Sequence, residues 1–277
     1  MAFWNNLKTT ALMAGLMGLC LGIAYLLGGP QALLPALILG GVLNMIAFFY
    51  SDKIALATVR AREVDRAEDR LLVDTVERLA REANMPCPRV YISPAAAPNA
   101  FATGRSPSHS AVCVTAGLRQ MLNDEELEGV IAHELAHVKH RDVLISTVAA
   151  VVAGAITYLT YLALFFGGGR DRRGNPLVAL LLMILAPVAA SLIQMAISRS
   201  REYEADRFGA ELAGGPGGLA SALRKLHYAS SRVPLPVPDA QSNMFIVAPL
   251  TGKEMSKLFM THPPVEERID RLMAMRR

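Results

Sequence analysis

The stretch VIAHELAHVKH, residues 130–140, places His133 and His137 four positions apart around Glu134. On an α-helix, residues four apart share one face, so both imidazoles can reach a single ion about 2.0–2.1 Å from each nitrogen. Glu134 is rotated by about 100° from His133 and can approach a water on that ion without binding the ion itself. By chance, this HExxH pattern is expected roughly 0.007 times in a chain of this composition. The stretch therefore predicts a zinc hydrolase site on a helix.

The residues around this pattern predict a helix that is half buried in a core. Asn123 begins the helix, and Glu126 stands three positions later, as in a capping box. In an apolar environment two unpaired histidines and a carboxylate would be costly, and a bound metal would offset that cost. The apolar side chains nearest the motif are those of Val130, Ile131, Leu135 and Val138.

A third metal ligand must come from elsewhere, because a catalytic zinc site takes three protein ligands and keeps one position for water. The residue six positions after His137 is Val143, which excludes the pattern with a third histidine at that point. His140 lies on a neighbouring face of the helix and stays open as an alternative donor. The stretch SREYEADRFGAELA, residues 200–213, offers Glu202 as a better candidate.

Glu202 and Asp206 lie four positions apart on a helix predicted over residues 198–213, so both face one direction. Glu202 can then bind the metal while Asp206 accepts a hydrogen bond from a ligand histidine. The other interpretation is a solvated face whose acids pair with Arg201 and Arg207. The spacing alone leaves both interpretations open.

The composition indicates a membrane protein. Of the 277 residues, 52% are hydrophobic, and the mean hydropathy of +0.32 is too high for an ordinary soluble domain. The net charge is +4, but basic and acidic residues alternate along residues 53–81, so we expect no nucleic-acid partner. The three cysteines lack CxxC spacing, which fits a reduced, cytosol-facing environment rather than a structural zinc site.

Four apolar stretches approach the ~20 residues that a helix needs to cross a bilayer, and we expect two hydrophobic hairpins. Residues 52–62 are rich in Lys and Arg, which places the chain from residue 51 onward in the cytoplasm. The arginines at the tip of the second hairpin, at positions 170, 172 and 173, oppose this rule, so an interfacial hairpin is the alternative to full spanning. The stretches are residues 7–27, 32–50, 143–166 and 177–197.

Between the hairpins, the pattern changes to that of a mixed domain. Helical spacing predicts an amphipathic helix over residues 63–83, and short β-type runs follow it. We therefore expect an α+β, mainly α fold with a small β-sheet and two transmembrane helical hairpins. The β-type runs are residues 89–93, 100–103 and 110–115. The expected parts are a first hairpin (1–50), the first part of the zinc domain (51–142), a second hairpin (143–197) and the second part of the zinc domain (198–277).

HExxH at residues 133–137 and ExxxD at 202–206, with hydrophobic hairpins before and between them, resemble the M48 family of membrane zinc metallopeptidases. The resemblance covers essentially the whole chain. The departures are His140, where a polar uncharged residue is expected, and a proline-rich stretch at 233–249 that predicts a surface loop. Supporting stretches are NAFATG at 99–104, AVCVTAGL at 111–118 and THPPVEERI at 261–269.

The resemblance implies a zincin-like domain of the gluzincin type, with one Zn²⁺ per chain. It implies that His133, His137 and Glu202 bind this ion. Glu134 is then the catalytic base, and Asp206 supports the site.

The resemblance also implies residues that contact the substrate. His262 and Arg268 match residues that line the active-site cleft of the family. From the residues alone, His262 is either a donor to the developing oxyanion or a turn-capping histidine before two prolines. Asn99, Ala100 and Phe101 resemble the edge strand along which zincins align an extended substrate, and the other interpretation is an ordinary short strand.

The implied function is that of a membrane-bound zinc endopeptidase that removes damaged or misfolded membrane proteins. Its partners are protein or peptide substrates and the lipid bilayer, and its implied place is the bacterial inner membrane, multi-pass, with the site facing the cytoplasm. Three alternatives are open. A prenyl-protein peptidase of the related type has more spans, a sensor would append an extracellular domain, and a non-enzymatic assembly factor would not need Glu134.

Overall fold

The computed structural model describes residues 29–144, 199–230 and 263–275, with positions 7, 10, 11, 13–15, 17, 18, 21, 22, 25 and 148 in addition. Within these residues the chain is mainly helical with one small mixed sheet, which confirms the predicted class. The helices are α1 (Leu33–Thr58), α2 (Arg70–Glu82), α3 (Ala116–Met121), α4 (Asp124–His140), α5 (Arg199–Leu212), α6 (Gly217–Ser230) and α7 (Val265–Ala274). The strands are β1 (Arg62–Glu63), β2 (Arg89–Ser93), β3 (Ala100–Ser106) and β4 (His109–Thr115).

The sheet has the strand order β1-β2-β4-β3. β1 pairs antiparallel with β2, β2 pairs parallel with β4, and β3 pairs antiparallel with β4. All three predicted β-type runs form strands, and β3 extends three residues further than expected. β3 is an edge strand of this sheet, and it lies against α4.

Helix α1 continues eight residues past position 50, where the predicted span ends. Its N-terminal part exposes large apolar side chains, and it is the one helix of the described residues that is long and apolar enough to cross a membrane. Its C-terminal part carries Ala55 and Leu56, which are buried with Phe101 against the sheet. The other three predicted spans and the loop at 233–249 lie outside the described residues, apart from scattered positions.

The amphipathic helix predicted from residue 63 begins instead at Arg70, so its first seven predicted residues were wrong. Arg62 and Glu63 pair with β2, which requires extended backbone. Asp69 then caps α2 by accepting a hydrogen bond from the Leu72 N–H at 3.1 Å. The start of the helix could not be located from the sequence, because the charge-rich residues 63–69 fit a solvated helix equally well.

Helix α4 lies at the centre of the domain, between the sheet and helices α5 and α6. Its predicted capping box is confirmed: the Asn123 side chain accepts from the Glu126 N–H, and the Glu126 carboxylate accepts from the Asn123 N–H, both at 2.9 Å. The Glu126 carboxylate also accepts from Ser221 and Lys225 of α6. Helix α4 is thus tied to α6 at its N-terminus, with its motif face turned toward α5 and β3.

Candidate metal centre and active site

The two motif histidines and Glu202 converge on one point. The Nε2 atoms of His133 and His137 are 3.2 Å apart, and the carboxylate oxygens of Glu202 lie 3.9 and 3.6 Å from them, respectively. One potential ligand atom from each residue lies within 4.8 Å of the others. Two nitrogens bound tetrahedrally to one zinc ion at about 2.05 Å would be about 3.3 Å apart. The spacing therefore fits a single metal ion.

Helix α5 reaches this point because it packs very closely on α4. A Cβ atom added at Gly209 would lie 2.8 Å from the backbone nitrogen of His133 and 2.9 Å from its Cα. Any other residue at position 209 would force the two helices apart. Glu202 lies about two turns before Gly209 on α5. The absence of a side chain at Gly209 therefore determines how closely the Glu202 carboxylate approaches the two histidines.

Each histidine is oriented by a carboxylate at its other ring nitrogen. The Nδ1 atom of His133 lies 3.0 Å from Asp206, and the Nδ1 atom of His137 lies 3.1 Å from Asp142. A neutral imidazole that donates from Nδ1 presents a lone pair at Nε2. Two lone pairs facing each other at 3.2 Å repel unless a cation lies between them. This donor chemistry fits a divalent metal with nitrogen and oxygen ligands.

The charge around the site also favours a cation. Burial lowers the pKa of His137, but the Asp142 and Glu202 carboxylates outweigh burial and raise it to about 10. The same negative potential that holds a proton on an imidazole stabilises a metal ion in its place.

Glu134 projects from α4 beside the predicted metal ligands and is buried. Its Oε2 atom accepts a hydrogen bond of 2.8 Å from the backbone N–H of Ala102 in β3. Burial raises the pKa of Glu134 above its ordinary value, although His133, His137 and the Ala102 N–H act against it. A carboxylate with a raised pKa is a stronger base than an ordinary glutamate, which suits a group that takes a proton from water.

Arg268 holds the carboxylate of Asp206, on α5, in place. The Arg268 side chain is fully buried, and its guanidinium donates two hydrogen bonds to Asp206, at 2.7 and 2.8 Å. It also lies 3.7 Å from Glu202. Burial raises the pKa of Asp206, but Arg268 outweighs this effect and holds it at about 2. Helix α7 thus contributes a fixed positive charge behind the site.

The predicted substrate segment, residues 99–101, begins the edge strand. The Asn99 N–H and C=O bond to Thr115, at 2.8 and 2.9 Å, and therefore face β4. Because backbone hydrogen bonds alternate along an antiparallel pair, the backbone groups of Ala100 and Ala102 point away from β4, and the Ala102 N–H bonds to Glu134 of α4. The Phe101 side chain is buried on the opposite face, with α1. The segment therefore offers its backbone, and not the Phe101 ring, to the site.

Two residues considered from the sequence, His262 and His140, are not part of the metal-ligand cluster of the described residues. His262 lies outside the described residues. The His140 ring packs edge-on against Phe208, with their centroids 5.5 Å apart, and among the described residues the ligand cluster contains only His133, His137 and Glu202. Asp142 was not predicted from the sequence, although an acid five residues after the second histidine was a visible signal.

Comparison with known proteins agrees with this geometry. Residues 66–276 match peptidase family M48. The chain belongs to peptidase family M48. Two M48 relatives are named protease HtpX homolog: the one from Pelotomaculum thermopropionicum is 50% identical over 98% of this chain and 99% of its own, and the one from Syntrophotalea carbinolica is 53% identical over 97% and 98%.

A solved structure shows the same M48 fold at greater distance. The crystal structure of Ste24p from S. mikatae superposes with a TM-score of 0.52 at 19% identity, and it matches 95% of this chain. The chain spans 62% of the length of that protein. Family membership and the close relatives together make the chain a membrane-associated metalloprotease that acts on peptides or proteins.

Proposed function

We propose that this M48 chain is a zinc-dependent endopeptidase of the bacterial inner membrane that degrades damaged or misassembled membrane proteins from the cytoplasmic side. One observation carries the proposal: the ligand atoms of His133, His137 and Glu202 lie within 4.8 Å of one another beside the buried carboxylate of Glu134. The proposed topology is multi-pass, with hydrophobic hairpins at residues 1–50 and 143–197 and the peptidase domain in two parts, 51–142 and 198–277.

The residues of the chain divide the work of peptide hydrolysis. When bound, zinc would lower the pKa of a water molecule toward ~7 and polarise the scissile carbonyl. The Glu134 carboxylate accepts the proton of the attacking water and delivers it to the nitrogen of the leaving amine. Asp206 and Asp142 hold the two imidazoles in the tautomer that presents Nε2 to the ion. His262 is the proposed donor to the developing oxyanion.

An extended substrate is proposed to bind along β3 by strand addition. The outward N–H and C=O of Ala100 and the C=O of Ala102 supply the proposed pairing positions, because the Ala102 N–H is already bonded to Glu134. A peptide paired there would lie beside the catalytic base. Unfolded or misassembled proteins fit this mode, since their backbone groups are free to pair.

The test is metal content and turnover of the detergent-purified full chain. Elemental mass spectrometry would count zinc per chain in the wild type, Glu202→Ala and Glu134→Gln, and each would be assayed with unfolded casein. Glu211→Ala, an exposed acid on the same helix as Glu202, is the matched control.

The expected result is about one zinc per chain and zinc-dependent cleavage in the wild type and the control. Glu202→Ala should lose both, and Glu134→Gln should keep zinc and lose cleavage. Full zinc occupancy in Glu202→Ala would move the third ligand elsewhere, with His140 as the next candidate. Cleavage retained by Glu134→Gln would remove the assigned base, whereas no cleavage by zinc-loaded wild type would reopen the assembly-factor alternative.

A further inference from the structure

The apolar helix α1 and the edge strand β3 are packed along each other. Near the middle of α1, the Phe49 ring lies 5.5 Å from the Arg105 guanidinium, at the far end of β3. Two turns later, Ala55 and Leu56 share a buried cluster with Phe101, at the start of β3. Six to seven helical residues and four strand residues cover a similar length, about 10 and 13 Å. β3 therefore runs antiparallel to α1, and its Ser106 end approaches the apolar part of the helix.

Positive side chains gather where the apolar part of α1 ends. Lys53 lies over the Tyr50 ring, 5.2 Å from its centroid, and Arg89, at the start of β2, lies 3.6 Å from Asp52. Together with Arg105 on Phe49 they form a basic rim, defined as Lys53, Arg89 and Arg105. Aromatic rings with neighbouring Lys and Arg are typical of the level where a bilayer meets water.

The turn between β3 and β4 is held in a fixed shape at this level. Gly104 has a φ of +136°, and a Cβ atom there would lie 2.2 Å from the carbonyl oxygen of His109. The pairing of β3 with β4 is irregular between Gly104 and Ser106. Such a bulge bends a strand and redirects the side chain that follows. It places Arg105 on Phe49 and leaves Ser108 and His109 exposed at the tip.

We propose that the basic rim and the β3–β4 turn rest on anionic phospholipid headgroups and fix the distance from the bilayer to the catalytic base. Ala102, which holds Glu134, is three residues from Arg105, so at about 3.3 Å per residue the base lies within about 10 Å of the headgroups. A membrane-anchored substrate is then cut in the extended segment that emerges directly from the bilayer. This inference rests on the proposed function, because it takes α1 as a membrane span.

The first test maps cut sites in a tethered substrate. The full chain is reconstituted in vesicles of phosphatidylcholine and phosphatidylglycerol, with a substrate made of one transmembrane segment and an unfolded tail of identical repeats. Wild-type cuts should cluster within about ten residues of the bilayer, and Arg105→Glu should shift the cluster outward, since its charge is repelled by anionic lipid. Arg70→Glu, which exchanges the charge of an exposed α2 side chain, should leave the cluster in place.

Cuts spread evenly along the tail, or a cluster that does not move in Arg105→Glu, would overturn the inference. Cleavage of free casein is measured in parallel. Loss of casein cleavage in the wild type would contradict the proposed function and not the placement of the turn.

The second test needs no peptidase activity. A fluorophore is attached at Ser108→Cys in the turn or, in a second protein, at Ala96→Cys. Position 96 lies just after β2, whose last residue, Ser93, donates a hydrogen bond to the carbonyl of Val59 at the C-terminal end of α1. Cys20 and Cys87 are replaced by Ala in both proteins, and Cys113 is buried. Lipids that carry a quencher in the headgroup should quench the label at position 108 about threefold more than at 96, since α1 separates these levels by about 15 Å. Equal quenching would overturn the inference.

Discussion

The Nδ1 atom of His137 lies 3.1 Å from the Oδ2 atom of Asp142, just beyond the end of α4. Arg141 makes this contact possible because its left-handed backbone, with φ 59° and ψ 33°, turns the chain back on the helix. The charge of Asp142 also acts on the buried guanidinium of Arg201, whose pKa is lowered by burial and raised in part by Asp142 and Glu202. Residues on the two sides of the hydrophobic segment 143–197 therefore meet at the metal site.

Asp142→Ala should weaken zinc binding by about ten- to a hundredfold, because His137 loses the carboxylate that fixes its tautomer and orientation. Asp142→Asn should lose less zinc affinity, since the amide oxygen of asparagine can still accept a hydrogen bond from the Nδ1–H of His137. The measurement is a competition titration of zinc with a chromogenic chelator. Asp124→Ala, an exposed acid in the first turn of the same helix, is the control and should bind zinc like the wild type. Equal affinity of Asp142→Ala and wild type would show that Asp142 does not support the metal.

Gly209→Ala should destabilise the protein although alanine favours helix formation by about 1 kcal/mol relative to glycine. The added Cβ would lie 2.8 Å from the backbone of His133, and backbone cannot rotate away as a side chain can. Overpacking of this kind costs about 1–3 kcal/mol, so the net change is unfavourable. The separation of α4 and α5 should also lower zinc affinity.

Gly215→Ala is the matched control, since an added Cβ there meets no described atom within 4 Å. The readouts are the apparent melting temperature and the zinc dissociation constant. A variant Gly209→Ala that is as stable as Gly215→Ala and binds zinc normally would contradict the close-approach argument.

Arg268→Met should lower the free energy of unfolding by about 3–5 kcal/mol, because it leaves a buried carboxylate without its partner. Because Arg268 lowers the pKa of Asp206, its removal should raise that pKa and weaken the contact between Asp206 and the Nδ1 atom of His133. Arg268→Lys should be intermediate, since an ammonium group cannot make the two parallel hydrogen bonds. Thermal unfolding and zinc content are the measurements. Arg207→Met changes an exposed side chain on α5 and is the control. If this control loses as much stability as Arg268→Met, the prediction is contradicted.

Much of the fold was predictable because its signals are local. The capping box at Asn123, the three longer strands and the helix that carries Glu202 follow from spacing within a few residues. The grouping of Glu202 with the two histidines depended on a resemblance, because about 70 residues separate them along the chain. Spacing alone left the solvated-face interpretation of Glu202 open, and its burial now distinguishes the two.

The remaining features depend on contacts that spacing does not reveal. Asp142 reaches His137 only through the left-handed turn at Arg141, a conformation that an arginine does not signal. Gly209 looks like an ordinary helix-weakening glycine until α4 is placed beside it. Helix α2 begins at Arg70 and not at the predicted residue 63. Arg62 and Glu63 pair with a strand about 28 residues away in sequence, and this pairing overrides the local helical periodicity.

The pairing of Glu126 with α6 should make the stability of the protein depend on pH. Burial raises the pKa of Glu126, but hydrogen bonds from Lys225, the Asn123 N–H and Ser221 outweigh it, so the pKa lies below its ordinary value. The ionised carboxylate therefore stabilises the fold above the unfolded pKa of about 4.3. This stabilisation is lost as the pH falls through the lower pKa of the folded state. Glu126→Gln removes it at all pH values.

The melting temperature of the wild type should exceed that of Glu126→Gln by a constant amount from about pH 5.5 to 7, which corresponds to about 1 kcal/mol because Lys225 is partly exposed. Below about pH 4.5 the difference should shrink toward zero. Asp206 also titrates in acid, but it is present in both proteins and cancels in the comparison. Glu125→Gln, an exposed neighbour, should match the wild type throughout. A difference that stays constant to about pH 3 would show that the stabilisation does not come from the ionised carboxylate.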